Sequence, residues 1–412
     1  MKRRFFSFSA AAAFALLLTG CSLLNSNEQQ SAVKDSKTHY AADAVKPFVD
    51  SGELPGAISI LCKGDLQETA CLGWADLDKK LPIATDQIFM QASQTKGFCG
   101  VTIAMLVEEG KISLDDPVSK YLPEFKELKV AGKDKDGKKT LTPAKNVLTI
   151  RMVMNHTGGF PFEIPTKRKK GWPSISLRET AKEAASLPLQ FEPGTKVLYS
   201  NTGIDIGAAV IEAVTGKTWD VFLQERVLDP LGMKDTSFRP TDEQLSRRIS
   251  MYLINPGQKP KLVKSRSCMP APHNGPGVHP SAGAGLWTTA ADQVKFYRML
   301  MNLGVGDNGV RLLKEETVKN LLGTSSRPPK MGQYSLGLVV NSKKGTISHG
   351  GAWKTKCTVN WKKKELSLWV VQLAGKYGTV FPWDKPWNKA VGKFFNSKFD
   401  DSETQAYTGR MK

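Results

Sequence analysis

The chain has 412 residues, enough to bury one large core or two smaller ones. Its 40% hydrophobic and 24% charged content is that of a soluble globular protein, and past the N-terminal leader no stretch is long and apolar enough to span a bilayer. The formal net charge is +19, but the basic runs Lys133-Asp134-Lys135-Asp136-Gly137-Lys138-Lys139 and Lys167-Arg168-Lys169-Lys170 carry no interleaved aromatics and no nucleic-acid motif; they read as solvated loops, and nucleic acid is set aside as a partner.

Lys2, Arg3 and Arg4 precede an apolar run over 5–18, which reads as a secretory signal over 1–20. Leu18-Thr19-Gly20-Cys21 resembles the lipobox of bacterial lipoproteins, which implies cleavage before Cys21, acylation there and a stable membrane anchor. Ser22 after the cysteine matches the sorting pattern for the outer membrane, so the expected location is exported and membrane-anchored. Residues 21–39 read as a flexible tether. Five cysteines remain; Cys62 and Cys71 flank a hairpin and form a candidate disulfide, while Cys99 falls on an apolar helix. No Cys/His spacing suits a metal, and no cofactor is expected.

Residues 40–51 read as an amphipathic helix closed by Gly52, followed by strands at 57–62 and 69–74 around Lys63-Gly64-Asp65. A loop then delivers the chain to a helix opening at Ser93 and apolar over 98–107. Residues 112–117 begin a short helix, 126–146 read as an irregular surface insertion, and 148–156 as a short amphipathic helix ending at Gly158-Gly159. Helices follow at 176–187, 204–215 and 218–226; Thr289 caps another running to about 303. Strands return at 334–341, 345–349, 355–361 and 366–373, before a last amphipathic helix around Trp387, Val391, Phe394 and Phe395. Strands at the two ends with helices between predict an α+β fold. One antiparallel sheet is built from N- and C-terminal segments, flanked by helices, with an inserted mainly helical subdomain. The domain runs 40–397, its sheet part about 40–92 and 281–397, its helical part about 93–280, with a polar tail at 398–412.

In Gln91-Ala92-Ser93-Gln94-Thr95-Lys96-Gly97-Phe98, positions 93 and 96 share a helix face, so the Lys96 amine can reach the Ser93 hydroxyl. A serine needs such a base to become a nucleophile, and a desolvated lysine can serve. Tyr199-Ser200-Asn201 follows the Pro193-Gly194-Thr195 turn, and His349-Gly350-Gly351-Ala352 ends a strand.

These three motifs in this order resemble the serine β-lactamase and penicillin-binding-protein superfamily, with the close match to its class C β-lactamase branch and the related esterases and D-aminopeptidases. The resemblance covers roughly 40–397; 148–159, 193–216 and Gly283-Ala284-Gly285-Leu286-Trp287-Thr288-Thr289-Ala290-Ala291-Asp292 support it. It implies Ser93 as the acylated nucleophile and a Lys96 that bonds Ser93 and Tyr199 and lowers the tyrosine's pKa. It further implies Tyr199 as general base and acid, and Asn201 as the group that orients Lys96. The backbone N–H groups of Ser93 and Ala352 would form the oxyanion hole, with Gly350, Gly351, Gln94 and Trp353 lining the substrate. His156 is read as structural. Lysine is usual in the family where His349 stands here; a neutral histidine grips a substrate carboxylate less firmly.

The expected activity is that of a monomeric serine acyl hydrolase acting on an ester or amide of a small or peptidoglycan-derived substrate. The alternatives are a D,D-carboxypeptidase or class C-type β-lactamase, and a catalytically weak envelope binding protein on the same fold.

Overall fold

The computed structural model describes residues 34–36, 39–164, 168–169, 172–173, 176–254, 260–262, 279–374, 380–397 and 404–406. The expected signal, Cys21 and Cys268, nearly all of the tether and most of the tail lie outside the described residues.

A mainly antiparallel sheet is the backbone of the molecule. Its strands are β1 (Gly56–Lys63), β2 (Leu66–Asp76), β3 (Tyr334–Ser335), β4 (Leu338–Asn341), β5 (Thr346–Gly350), β6 (Lys356–Asn360) and β7 (Glu365–Val370). They lie in the order β3-β4-β5-β6-β7-β1-β2, and Lys34–Ser36 and Thr404–Ala406 extend the β2 edge. Sequence ends therefore meet inside the sheet, as expected: Leu366 pairs with Cys62 and Val370 with Ile58.

Both faces of β1 are buried, and the two-residue period of a strand sorts them. Ala57 and Leu61 join Trp369, Trp387 and Phe394 in one core. That core is covered by helices α1 (Tyr40–Asp50) and, at the chain's end, Asp384–Asn396. Ile58, Ile60 and Cys62 face the larger core. Helix α2 (Thr95–Glu108) fills it, with every residue from Thr95 to Leu106 buried. There Phe98 stacks on Phe296 at 3.7 Å between ring centroids.

Further helices follow along the chain, α3 (Ile150–Met154), α4 (Leu177–Ser186), α5 (Asn201–Thr215), α6 (Trp219–Leu223), α7 (Asp242–Ser246) and α8 (Ala290–Met301), and Asp384–Asn396 is α9. Caps start them where the sequence placed polar side chains. Ser176 forms a capping box with Glu179, the Ser200 hydroxyl accepts from Gly203 N–H, and Thr289 accepts from Asp292 N–H.

Four expectations change. Cys62 and Cys71 are not bonded: Cys62 pairs with Gln67 and Cys71 with Ile58, so they sit four positions apart along the hairpin, and both are free thiols. The insertion is ordered as a hairpin, Lys129–Lys133 with Lys139–Pro143, closed by the Asp134 carboxylate accepting from the Asp136 and Lys138 N–H groups. Residues 112–117 form no helix; short 3₁₀ turns come later, at Val118–Lys120 and Pro123–Phe125. The strand expected over 334–341 breaks in two because Leu336 and Gly337 take positive φ (37° and 78°). That kink presses on α2: a Cβ on Gly100 would meet Leu336 O at 1.7 Å.

Candidate active site

Ser93 sits in a 3₁₀ turn, Ala92–Gln94, that feeds α2. Ala92 is held at φ 49°, a left-handed conformation costly for a residue with a Cβ. The kink leaves Ser93 partly exposed while its neighbours on both sides are buried. Thr95 ties the turn down: its hydroxyl donates to Ala92 O at 2.7 Å and accepts from Leu286 N–H at 3.2 Å.

Lys96 is fully buried (0% exposed). Its amine donates to Ser93 Oγ at 3.1 Å, Asn201 Oδ1 at 2.6 Å and Gly283 O at 2.6 Å. Burial lowers its pKa to about 7, against the opposing pull of the Asp205 and Glu163 carboxylates. The amine is thus poised between its two protonation states near neutral pH, at hydrogen-bond distance from a hydroxyl.

Tyr199 departs from expectation. Lys96 Nζ lies over its ring, 4.6 Å from the centroid, so the amine faces the π cloud. Burial raises the phenol's pKa to about 12, with the Ser93 hydrogen bond only partly countering it. Its pKa is therefore raised, not lowered as the resemblance implied, and the phenol is a proton donor at neutral pH. Asn201 is placed as expected: its Oδ1 holds Lys96 while its Nδ2 donates to Glu163 Oε1 at 3.1 Å.

His349 is spent inside the protein. It lies at the end of β5, past the last residue that β4 pairs, Ser348. Its Nδ1 meets Gly350 O at 2.7 Å and its Nε2 meets Tyr334 Oη at 3.1 Å. A carbonyl can only accept, so Nδ1 carries the proton and Nε2 accepts from the tyrosine. Burial, reinforced by the Lys96 amine, drops the imidazole's pKa to about 3. No cation stands where the family's lysine would.

His156, read from sequence as structural, packs in the wall of the site. It sits at φ 67°, its Nδ1 accepts from Ser200 N–H at 3.2 Å, and its ring lies 4.4 Å from that of Tyr199 and 4.7 Å from that of Tyr334. Burial holds it well below the usual histidine range, helped by the Lys96 and Arg327 charges.

The Gly350-Gly351-Ala352 turn reaches the serine turn through Gly351, where a Cβ would stand 2.5 Å from Gln91 O. Only glycine permits that approach, and it sets the Ala352 peptide beside the Ser93 turn. Gln94 and Trp353, expected to line the substrate, both have partners within the protein. Gln94 is buried, its Oε1 accepting from Gln293 Nε2 at 2.7 Å and Tyr297 Oη at 3.2 Å. Trp353 packs against the cluster of Ile88, Met251 and Trp287 instead. Gly283, Glu163, Asp205 and Tyr334 are members of the site that sequence reasoning missed. Among the described residues no cluster of His, Cys, Asp and Glu could hold a metal.

The Beta-lactamase family profile matches residues 41–405. The chain belongs to that family. Among its relatives, Protein Rv1367c of Mycobacterium tuberculosis is 29% identical over 283 residues, 67% of this chain and 69% of that protein. Lovastatin esterase of Penicillium rubens is 29% identical over 287 residues, 66% of this chain and 69% of the esterase. Simvastatin synthase (LovD) of Aspergillus terreus superposes with a TM-score of 0.71 at 19% identity, covering 87% of this chain and 98% of the synthase, which establishes the fold. The α/β architecture and the serine-hydrolase superfamily expected from sequence both stand.

Proposed function

We propose that the protein is a serine acyl hydrolase working through an acyl-enzyme on Ser93, with a preference for uncharged esters. The observation that carries this is the Lys96 amine, buried, near its neutral form, and 3.1 Å from Ser93 Oγ. Neutral Lys96 takes the hydroxyl proton as Oγ attacks the ester carbonyl. The Ser93 and Ala352 N–H groups receive the oxyanion, a contribution of about 3 kcal/mol per donor in comparable sites. Collapse expels the alcohol, which takes its proton from the Lys96 or Tyr199 side. Water then attacks the acyl-enzyme by the same path in reverse.

The substrate preference rests on His349. A neutral imidazole bonded at both nitrogens offers a substrate carboxylate no charge and no free donor. The similarity to lovastatin esterase points the same way. A peptidase or β-lactamase reading finds support in Arg327, half-buried over the Tyr334 ring at 4.6 Å, a cation near the site that could read a carboxylate. We also propose that the protein is exported and lipid-anchored at Cys21.

A panel of p-nitrophenyl esters, D-amino-acid amides and nitrocefin decides between these readings, with a fluorophosphonate probe reporting on Ser93. Ester turnover, with labelling lost in Ser93→Ala, is expected. Nitrocefin hydrolysis faster than ester hydrolysis would replace the esterase reading. An unlabelled Ser93 in folded protein would leave a binding role.

A further inference from the structure

Four residues beyond Asn201, one turn along α5, Asp205 is buried at 6% exposure. Its carboxylate gathers donors from the returning chain. Gly283 N–H donates to Oδ1 at 3.0 Å, the Ser281 hydroxyl approaches both oxygens at 3.2 and 3.3 Å, and His279 Nε2 meets Oδ2 at 3.3 Å. The other imidazole nitrogen meets Thr180 Oγ1 on α4 at 3.3 Å. Serine, histidine and aspartate meet here, but the hydroxyl bonds the carboxylate and not the imidazole, so the cluster is no second nucleophile.

Its product is the placement of one peptide. Gly283 receives Asp205 at its N–H and offers its carbonyl to Lys96 Nζ at 2.6 Å. It is wedged so closely on Asn201 that a Cβ would stand 2.7 Å from that residue's own Cβ. On one rigid helix, a turn apart, Asp205 therefore holds the Gly283 N–H while Asn201 packs on that glycine and accepts from the Lys96 amine. We propose that Asp205 is a positioning residue for the Ser93–Lys96 centre: through Gly283 it fixes the carbonyl that holds the Lys96 amine at the serine. The proposal rests on the serine-hydrolase reading above and adds to it a residue outside its three motifs. The carboxylate also acts through space, since its charge opposes the loss of the Lys96 proton.

Two substitutions in the full-length protein separate these actions. Asp205→Asn keeps an acceptor for Gly283 N–H and removes the charge; Asp205→Ala removes both. With a p-nitrophenyl ester, Asp205→Ala is expected to lower kcat on the order of 10²-fold with KM little changed. Asp205→Asn is expected to cost less. It should also move the Lys96 ionisation down, because an attracting charge is gone. That shift is read twice, in the pH profile of kcat/KM and in an NMR titration of ¹³C-labelled lysine. Tyr199, Glu163, His156 and His349, the other ionisable groups facing Lys96, are untouched in both variants. Ser281→Ala, which deletes one bond, should lose activity a few-fold and serves if Asp205→Ala does not fold. An unmoved Lys96 titration in Asp205→Asn, or full kcat in folded Asp205→Ala or Ser281→Ala, would overturn the proposal. A wild type that neither turns over ester nor takes the fluorophosphonate would instead sink the hydrolase reading, and the NMR titration would still report on Asp205.

Discussion

Lys96 gives up water on folding and receives Ser93 Oγ, Asn201 Oδ1 and Gly283 O in its place. Burial favours the neutral amine, bringing its pKa to about 7 from the roughly 10.4 of an exposed lysine. Between those values the unfolded chain binds a proton that the folded chain does not. Wild-type stability therefore rises with pH through that window and is lost as pH falls toward 7. Lys96→Met lacks this dependence. Denaturant midpoints compared from pH 7 to pH 10 should shift in favour of the wild type as pH rises; parallel curves would mean that the buried amine keeps its charge. Ester turnover should climb through about pH 7 for the same reason, with no limb from His349. Ser93, Lys96, Tyr199 and Asn201 were legible because their chemistry is written as short local spacings. Gly283, Asp205 and Tyr334 were not, because no spacing tells which distant carbonyl, carboxylate or phenol the fold brings to an amine or an imidazole.

Elements were read best where the apolar period was strong or a cap was present, as in the β1–β2 hairpin and helices α1, α4 and α8. The hairpin at 129–143 escaped because it has no buried face: most of its residues are exposed, and its alternation is written in lysine and threonine. The break between β3 and β4 escaped because it answers to α2, whose Gly97 and Gly100 admit Leu338 and Leu336 at a distance no local pattern records. Close approach of elements also yields a test. Gly351→Ala would place a methyl 2.5 Å from Gln91 O and 2.3 Å from Thr355 Oγ1, forcing the Ala352 turn off the serine turn. A kcat loss on the order of 10²-fold is expected. Gly392→Ala in α9, where nothing lies within 4 Å, should leave activity intact and add up to about 1 kcal/mol of stability through helix propensity. Equal behaviour of the two variants would refute the steric argument.

At the scale of the whole molecule, the α+β plan followed from strands at both ends of the chain. The proposed anchor makes its own prediction. Cys21→Ser should release the protein from the membrane fraction into the soluble one; tight association in that variant would count against lipidation at Cys21. The sheet itself carries a temporal consequence. Strand β1 finds one neighbour at once in β2, but its other neighbour, β7, begins only at Glu365. During synthesis β1 must wait, half-paired, while the loop between its two partners grows to its full length, and closing that loop is entropically costly. High separation between paired strands slows folding and lengthens the life of open edges. Strand β1, the first long strand of the sheet to leave the ribosome, is thus completed among the last, and a nascent chain cut short of β7 has Ser93, Lys96 and Tyr199 but no closed sheet to hold them.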